Sequence, residues 1–499
     1  MRRTKIVATL GPATESPEMI RALIEGGADV VRLNQSHGTR AEHTRAFDRI
    51  RAASKSLGKP VAILVDLQGP KVRIGRVAGG CIMLGKGRTV DLASGHAIGD
   101  ERTLYTPLPE LVAGVRPGDR VLLDDGSIVL EVVSKRGGRA RCRVVAGGPL
   151  SDHKGVNLPG VKLDLPSATK KDISDLRWAT RSGADYAAIS FVRSAADVAA
   201  VKRVLQRWKS PIRLIAKIEK PEAVEAIEEI AAVADGLLVA RGDLGVEMAL
   251  EDVPVAQRRI IEAAHRSDIP VIVATQMLQS MTENPRPTRA EVSDVAGAIF
   301  DGTDAVMLSG ETAVGKYPVE SVKQMAAIAE HIERYLESSG ALVPTQAEGS
   351  ACSIPDAVCH GASSAARDLA AKAVFVATES GKTALLFSKY RFAGVTVGAS
   401  DDPGTVRRMA LYWGIVPARV RRYATHHLLL EAISKEAVKR RMVADGDTVV
   451  FVSGVRLGKT GGTNVLFVHR IPPKRGSRNR IALRDVTRYG AGLAGKRRR

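Results

Sequence analysis

Eight short runs of apolar residues recur through the first two thirds of the chain, and most of them end in polar residues. They lie at 5–11, 29–38, 60–69, 185–192, 213–219, 236–243, 270–277 and 304–312. Amphipathic helical patterns separate most of these runs, so each run predicts a strand that is followed by a helix. The phrases GADVV, GADYA, ADGLL and TDAVM introduce four of the runs and form a weak internal repeat. Eight strand–helix units predict a (β/α)8 barrel, whose active site is built where the strands end.

The helical patterns disappear between Gly69 and about Leu165. Short β-like runs such as RTVDLA, RVLLDDG and ARCRVVAGG alternate there with Gly-rich turns. This change predicts an all-β domain that is inserted after the third barrel strand. Such a domain is placed to close over the barrel mouth as a lid.

A third segment begins after the polar stretch 336–351. Its apolar runs AVFVATES, GVTVGAS, ARVRRY, TVVFVSG and NVLFVHR alternate with helical patterns, which predicts a separate α/β domain with a mainly parallel sheet. The predicted fold is therefore α/β, a TIM barrel with an inserted all-β lid domain and a C-terminal α/β domain. The predicted domains are 1–69 with 166–342 for the barrel, 70–165 for the lid, 343–472 for the C-terminal effector domain, and 473–499 for a basic, disordered tail.

Composition and charge narrow the classes of protein. The chain has 499 residues, four cysteines without metal-ligand spacing, and a net charge of +20. So few cysteines argue against a disulfide scaffold and indicate the cytoplasm. No apolar run is long enough for a membrane span, and the N-terminus does not resemble a signal peptide. Ten basic residues and one acidic residue follow Pro473; the remaining positive charge suits anionic small molecules.

Two neighbouring predicted strands finish in charged residues. RLIAKIE carries Lys217 and Glu219, and GLLVARGD carries Arg241 and Asp243. Buried charges are costly unless they are paired or bound to a metal. Two carboxylates and a lysine at adjacent strand ends are suited to hold a divalent metal beside a phosphate. The alternative is a pair of ion pairs that only join the strands.

The order and spacing of the motifs resemble those of the pyruvate kinase family. The motifs are TKIVATLGPAT, VRLNQSHG, AKIEKPE, VARGDLGVE, ATQMLQSM, RPTRAEVSDVA and VMLSGETAVGKYP. The likeness extends from Thr4 to about Arg470. It implies phosphoryl transfer from phosphoenolpyruvate to ADP, which yields pyruvate and ATP in the last step of glycolysis. It also implies Mg2+ or Mn2+ as the cofactor and a homotetramer.

The charged residues suit this chemistry, because phosphoryl transfer depends mainly on positioning and charge neutralisation. Glu219 and Asp243 offer the oxygen ligands that Mg2+ prefers. Lys217 is expected to neutralise charge on the phosphoryl group and the enolate oxygen. Arg32 offers a planar fork to the same phosphoryl group.

The substrate and its proton involve a second group of residues. Peptide N–H groups around Gly242 and Asp243 are expected to hold the substrate carboxylate. By resemblance, Thr275 lies next to the carbon that accepts the proton. Because a hydroxyl is a poor acid, water relayed through Ser309 and Glu311 is expected rather than Thr275 alone. The alternative for Thr275 and Ser309 is strand-end capping.

Cation and nucleotide sites follow from the resemblance. It assigns Asn34, His37 and Arg73 to the nucleotide, and Asn34, Ser36 and Asp66 to a monovalent cation. In DLQGPKVRIG, Lys71 stands where K+-dependent members usually carry Glu, and Leu67 replaces a usual Thr. A lysine ammonium carries the charge of K+, so Lys71 is expected to occupy the cation site and K+ not to be required. The alternative is a solvated surface lysine.

The segment TESGKTA at 378–384 matches the effector phosphate loop of the family. Thr378, Ser380 and Thr383 supply hydroxyls in a Gly-containing turn, which suits an anion. Glu379 stands where relatives activated by fructose bisphosphate often have Lys, so an effector with one phosphate is expected. The loop 453–464 is expected to fold over this site. The alternative is a helix start without an effector.

Two other functions are considered. A lyase or aldolase on the same barrel would use Lys217 as a Schiff-base amine, but Glu219, Asp243 and the lid argue against it. A nucleic-acid-binding protein is suggested by the basic tail. The tail lacks interleaved aromatic residues, apart from Tyr489, so nucleic acid is not expected to be a partner.

Overall fold

The chain begins with strand–helix units of the barrel. The computed structural model describes residues 1–161, 163, 166–342, 353–457 and 462–473. The first elements are β1 (Lys5–Thr9), α1 (Pro17–Gly26), β2 (Val30–Asn34), α2 (Arg40–Leu57) and β3 (Ala62–Asp66). Thr39 and Glu42 form a capping box that fixes the start of α2 directly after the β2 loop.

The lid follows β3 as a separate set of short strands. Its elements are β4 (Cys81–Leu84), β5 (Thr89–Ser94), β6 (Thr103–Thr106), α3 (Pro109–Gly114), β7 (Arg120–Leu123), β8 (Ile128–Arg136), β9 (Arg139–Ala146), β10 (Gly148–Ser151) and β11 (Val156–Asn157). They form a six-stranded sheet in the order β11-β7-β8-β9-β5-β6 and a two-stranded sheet of β10 and β4. Alternate residues of β9 are buried, which gives the lid a core on one face of the sheet. The three β-like runs each contain a strand, and one short helix, α3, lies among them.

The chain then returns to the barrel. The elements are α4 (Lys170–Ser182), β12 (Tyr186–Ile189), α5 (Ala195–Arg207), β13 (Arg213–Ile218), α6 (Pro221–Glu225), α7 (Ile227–Val233), β14 (Gly236–Ala240), α8 (Arg241–Glu247), α9 (Val253–Arg266), β15 (Val271–Ala274), α10 (Arg289–Phe300), β16 (Ala305–Leu308), α11 (Gly310–Ala313) and α12 (Pro318–Ser338). Eight parallel strands close in the order β1-β2-β3-β12-β13-β14-β15-β16, with β16 paired to β1. Each of the eight predicted runs contains one of these strands, so the predicted barrel is confirmed.

The repeated phrase of the sequence has a structural role at the N-terminal end of the barrel. Its aspartates precede alternate strands; they are Asp29, Asp185, Asp235 and Asp304. Each carboxylate accepts the backbone N–H of a residue near the start of the preceding strand. The donors are Ile6, Ile63, Leu214 and Val271, at 3.0, 2.9, 2.8 and 2.9 Å. Each aspartate also forms an ion pair with a Lys or Arg side chain, so the repeat provides four equivalent clamps between neighbouring strands.

The C-terminal domain is a five-stranded sheet flanked by helices. Its elements are α13 (Ile354–Asp368), β17 (Ala373–Ala377), α14 (Lys382–Ser388), β18 (Val395–Ser400), α15 (Pro403–Arg408), β19 (Ile415–Arg419), α16 (His426–Lys439), β20 (Thr448–Gly454) and β21 (Thr463–Arg470). The strand order is β19-β18-β17-β20-β21, and β21 is antiparallel to the other four. The predicted mainly parallel sheet is confirmed. The strand predicted at ARVRRY is placed too far along the chain. β19 begins at Ile415, and the exposed Arg421 and Arg422 lie beyond its end.

This domain packs on the N-terminal end of the barrel. Arg407 of α15 pairs with Asp185, and Lys389, after α14, pairs with Asp304. Within the described residues, no helix is both long enough and apolar enough for a membrane span. The disordered tail was predicted at 473–499, and all of it after Pro473 lies outside the described part of the chain.

Candidate active site

A cavity of about 440 Å3 lies between the C-terminal ends of the barrel strands and the lid. The barrel contributes Lys220 and Asp243 to its walls, the loop after β3 contributes Lys71, and the lid contributes Lys154 and Asn157. This is the end of the barrel where the sequence places the candidate residues. We refer to this cavity as the cleft.

Lys217, near the end of β13, is the centre of the candidate site. Its Nζ lies 2.6 Å from Glu219 Oε1 and 3.6 Å from Asp66 Oδ1, and it donates to Ser190 Oγ at 2.9 Å. Burial lowers the pKa of Lys217, but Asp66, Glu219 and Asp243 outweigh burial and raise this pKa above its usual value. The side chain is therefore an ammonium at neutral pH. A Schiff-base mechanism needs the free amine, so this environment disfavours the lyase or aldolase alternative.

Glu219 and Asp243 are two carboxylates close to Lys217 and to each other. Glu219 is 2% exposed, and its Oε2 accepts the N–H of Phe191 at 2.6 Å. Burial raises the pKa of Glu219 to about 7, with a further rise from Asp243 and an opposing effect of Lys217. Burial also raises the pKa of Asp243, against the charges of Lys217 and Lys71. A divalent cation would relieve this crowding of carboxylates, so the two side chains fit a metal site.

The protein supplies only part of a metal shell. In the described residues, no group of three or more His, Cys, Asp or Glu side chains is arranged for a metal ion. Mg2+ commonly binds through one or two carboxylates and completes its octahedron with water and substrate oxygens. The pair Glu219 and Asp243 matches that pattern.

Arg32 and Asp66 are joined across β2 and β3. Asp66 Oδ2 accepts from Arg32 Nε at 2.8 Å and from Nη2 at 2.6 Å, while Nη1 donates to Thr9 Oγ1 at 3.1 Å. Asp66 is 1% exposed. Burial tends to raise the pKa of Asp66, but Lys217 and Arg32 hold this pKa below its usual value. Each terminal nitrogen of Arg32 carries one further N–H beyond these bonds.

Lys71 enters the cleft on the loop after β3. Lys71 is exposed to solvent, as the alternative of a surface lysine expects. Partial desolvation, with Arg73 and Lys217, holds the pKa of Lys71 below its usual value against the opposing effect of Asp243 and Glu219. The ammonium therefore lies within the electrostatic field of both Asp243 and Glu219. In the part of the chain that the structure describes, no hydrogen bond joins Lys71 to the predicted cation ligands Asn34, Ser36 and Asp66.

The remaining predicted cation and nucleotide residues lie around the loop after β2. Asn34 Oδ1 accepts the N–H of Ser36 at 3.1 Å, which forms a local turn. His37 is exposed and lines the cleft with Arg73. Partial desolvation at the cleft wall lowers the pKa of His37, with further lowering by Lys71, Arg73 and Arg32. The neutral imidazole therefore stands in a positive field that suits an anionic ligand.

Thr275 follows β15 in an unusual backbone conformation. Its φ is +70° and that of Gln276 is +53°. A positive φ is rare for a β-branched residue such as Thr275. Thr275 Oγ1 accepts the N–H of Gly242 at 2.7 Å and donates to the carbonyl of Ala274 at 2.6 Å. The N–H predicted to bind the substrate carboxylate thus bonds to Thr275 in this structure.

Glu311 lies beneath the ends of β15 and β16. Its side chain is fully buried, and its two oxygens accept the N–H groups of Leu278 at 3.0 Å and Ser309 at 2.7 Å. These bonds fix the two strand ends that carry Thr275 and Ser309. The relay through Ser309 and Glu311 stays a prediction, and the observed bonds give Glu311 a structural task in any case.

Comparison with known proteins decides the family. The model described as "Pyruvate kinase, barrel domain" matches residues 1–322, and the model described as "Pyruvate kinase, alpha/beta domain" matches residues 356–469. The chain belongs to the pyruvate kinase family. The pyruvate kinase of Geobacillus stearothermophilus is 44% identical over 94% of this chain and 80% of the relative. That of Mycobacterium tuberculosis is 43% identical over 94% and 98%.

A crystal structure supports the same fold. A pyruvate kinase from Cryptosporidium parvum is 32% identical and has a TM-score of 0.88, covering 94% of this chain and 96% of that one. The pyruvate kinase reaction is the transfer of the phosphoryl group of phosphoenolpyruvate to ADP, which gives pyruvate and ATP. Pyruvate kinases generally use a divalent metal and a monovalent cation.

A second cavity, of about 260 Å3, lies in the C-terminal domain and contains the predicted effector residues. Thr378, Ser380 and Thr383 all line it. Thr378 Oγ1 accepts the N–H of Gly381 at 3.0 Å, and the hydroxyls of Thr383 and Thr463 are 2.6 Å apart. Part of the loop predicted to cover this cavity, 458–461, lies outside the described residues. The cavity wall also includes three arginines that the sequence did not assign to it: Arg421, Arg422 and Arg456.

The sequence also missed the contact between lid and barrel. Glu247 of α8 is 5% exposed, and its Oε1 accepts from Asn157 Nδ2 of the lid at 2.8 Å and from Lys220 Nζ at 2.9 Å. Lys220 stands beside Glu219 in AKIEKPE, so that motif was an available signal. No sequence signal pointed to Asn157, because its partner Glu247 is 90 residues away in the chain.

Proposed function

We propose that the cleft between the lid and the barrel is the site of phosphoryl transfer. The observation that carries this proposal is the Lys217 ammonium, held against the carboxylates of Asp66 and Glu219 near Asp243. The ammonium supplies fixed positive charge where the phosphoryl group passes and where the enolate forms. Arg32 supplies its two remaining N–H groups to the same phosphoryl group.

Glu219 and Asp243 would hold Mg2+ or Mn2+. Bound there, the ion would neutralise negative charge on substrate oxygens, as metals do in phosphoryl transfer. Phosphoenolpyruvate would lie between Lys217 and the start of α8, with its carboxylate near Gly242 and Asp243. His37 and Arg73 line the cleft on the side of Lys71, and we assign them, with Asn34, to the phosphates of ADP.

The second half of the reaction is protonation of enolpyruvate. Thr275 carries its hydroxyl between the N–H of Gly242 and the carbonyl of Ala274. We propose that this hydroxyl delivers the proton together with water held near Ser309, while Glu311 fixes the two strand ends. The Thr275 hydroxyl is half-buried and is held in one orientation by one backbone donor and one backbone acceptor, which supports a part in such a relay.

We further propose that K+ is not required, because Lys71 brings a permanent positive charge into the cleft. Its charge acts on Asp243 and Glu219, which supports a role close to the groups proposed to react. Without a hydrogen bond to Asn34, Ser36 or Asp66 in the described residues, the ammonium would replace the charge of the ion more closely than its coordination.

The C-terminal cavity would bind a phosphorylated effector with one phosphate. Thr378, Ser380 and Thr383 offer hydroxyls, and Lys382 and the three arginines supply positive charge. Glu379 lies in the same wall and would repel a second phosphate.

We also propose a cytoplasmic homotetramer. Association of several copies is supported by exposed apolar residues on the barrel helices and on edge strand β21: Phe300, Tyr335, Phe467 and Val468.

One assay tests the proposed phosphoryl transfer and its ion requirements. Pyruvate formation from phosphoenolpyruvate and ADP is measured with Mg2+, with and without K+, and with chelator in place of the metal. We expect activity that needs the divalent metal and changes little when K+ is removed. Activity that persists in the chelator would show that Glu219 and Asp243 do not hold a required ion.

A further inference from the structure

The turn that presents Thr275 needs an external support. Thr275 and Gln276 are consecutive non-glycine residues with positive φ, +70° and +53°. L-residues avoid this region because Cβ approaches the backbone, and such strain persists only where neighbouring groups hold it. Val271–Ala274 is a short strand, so the turn cannot depend on β15 alone.

Arg241 provides that support. Its Nη2 donates to the carbonyl of Thr275 at 2.7 Å and its Nε to the carbonyl of Ala274 at 3.3 Å. The same Nη2 lies 2.8 Å from Met277 Sδ. The guanidinium thus bonds to both peptide groups that define the left-handed residue. Its side chain is 11% exposed, and Nη1 pairs on the outside with Asp294 at 2.5 Å.

Arg241 and the next residue hold Thr275 at both of its ends. The side chain of Arg241 fixes the Thr275 backbone, and the N–H of Gly242 fixes the Thr275 hydroxyl at 2.7 Å. Because these groups are adjacent in α8, the orientation of the hydroxyl is tied to the same helix start that carries Asp243. A rigid pair of contacts of this kind is what orients a reacting group.

We propose that Arg241 is a positioning residue for the proton-transfer step: it holds Thr275 in its left-handed conformation so that the hydroxyl faces the enolate carbon. This inference rests on the proposed role of Thr275. It assigns Arg241 no contact with substrate, metal or nucleotide.

The test compares Arg241→Met, Arg241→Lys and the control Asp294→Asn with the unaltered enzyme. Arg241→Met removes both carbonyl contacts and should lower kcat by about 100-fold, since displacement of a catalytic group by about 1 Å has an effect of this order. Lysine has one donor centre and cannot bridge two carbonyls in the plane of a fork, so Arg241→Lys should recover only part of this loss. Asp294→Asn keeps the carbonyl contacts and should leave kcat within about twofold.

Two readouts separate positioning of the proton donor from other effects. The KM for phosphoenolpyruvate and the half-saturating Mg2+ concentration should stay unchanged in the Arg241 variants, whereas the solvent deuterium isotope effect on kcat should increase. A rise in half-saturating Mg2+ would show that Arg241 acts through Asp243, and an unchanged isotope effect would show that proton transfer is not affected. Either result, or an unchanged kcat, overturns the inference.

Folding and the proposed function are checked separately. Circular dichroism and the melting temperature of each variant identify loss of fold, and Arg241→Lys serves if Arg241→Met does not fold. Replacement of Thr275 by Val in the unaltered background tests the role on which the inference rests. If that variant keeps full kcat, the role of Thr275 fails, whatever Arg241 does.

Discussion

Lys389 of the C-terminal domain and Asp304 of the barrel form an ion pair at 2.8 Å in which both side chains are completely buried. Asp304 also accepts the N–H of Val271 at 2.9 Å, and Arg391 lies 3.1 Å from its second oxygen. A single carboxylate therefore joins the C-terminal domain to the strand that leads to Thr275. The domain interface depends on charges that water cannot reach.

Replacing Lys389 by Met should destabilise the protein by about 3–5 kcal/mol, because removal of one partner leaves a buried charge without its main neutralising group. Urea unfolding followed by circular dichroism measures the change. The control is Lys435→Met, since Lys435 is an exposed residue paired with Glu431, and its loss should cost less than about 1 kcal/mol. Equal effects of the two variants would show that the Asp304 ion pair does not stabilise the interface.

His265, next to this ion pair, should make the protein sensitive to acid. Burial, together with Lys389 and Arg391, lowers the pKa of His265 to about 3. The unfolded chain binds this proton near pH 6.5 and the folded chain does not, so stability falls as the pH falls below 6.5. The expected loss is about 2 kcal/mol between pH 7 and pH 5.

His265→Gln should reduce this acid sensitivity, because glutamine keeps a donor for the carbonyl of Gly302, which lies 2.9 Å from His265 Nε2, and does not titrate. Thermal unfolding at several pH values measures the difference between the two proteins. His427→Gln, at an exposed histidine, should follow the unaltered protein. Parallel pH curves for all three proteins would contradict the assignment to His265.

Glu219→Gln should lower kcat by at least about 1,000-fold, since it removes a proposed metal ligand and the nearest anion of the Lys217 ammonium. The initial rate of pyruvate formation at saturating substrates measures the loss, and a metal titration shows whether excess Mg2+ restores any of it. Glu222→Gln is the matched control, because Glu222 lines the same cleft and has no assigned role. A variant at position 219 with normal kcat and normal metal affinity would exclude Glu219 as a ligand.

Lys71→Ala should convert the enzyme to one that needs K+. The unaltered enzyme is expected to change its rate less than about twofold when K+ is added, whereas the variant should lose about 100-fold without K+ and regain part of it with K+. Lys154→Ala tests a second lysine of the cleft, which pairs with Asp124 of the lid. Strong stimulation of the unaltered enzyme by K+ would contradict the role of Lys71.

Glu379→Lys should change the preference of the effector site. In the unaltered enzyme a sugar monophosphate should activate at lower concentration than fructose 1,6-bisphosphate, and the added lysine should reverse the order through a new charge-assisted contact. Activation curves at subsaturating phosphoenolpyruvate measure both constants. Tighter activation by the bisphosphate before any substitution would end the one-phosphate hypothesis.

The barrel could be predicted because its signal is local. All eight strands lie within single apolar runs, and parallel strands that are buried on both faces produce such runs. β19 was misplaced for a related reason. Its apolar residues end at Ala418, and Arg421 and Arg422, which follow the strand, line the cavity of the C-terminal domain instead of continuing the sheet.

The candidate site was predictable in its residues but not in its pairings. Lys217, Glu219 and Asp243 are identified by charge at strand ends. The bonds from Arg32 to Asp66, from Gly242 to Thr275 and from Asn157 to Glu247 depend on three-dimensional register between distant segments. The left-handed φ of Thr275 could not be read from its residue type, because β-branched residues rarely adopt it.

The four aspartate clamps at the N-terminal end of the barrel lie at every second strand boundary. They join β1 to β2, β3 to β12, β13 to β14, and β15 to β16. Four strand boundaries that carry a clamp therefore alternate around the barrel with four boundaries that lack this clamp. Backbone amides along the boundaries without a clamp should exchange with solvent deuterium sooner than those along the clamped boundaries. Thermal opening of the barrel would therefore separate it into pairs of strands.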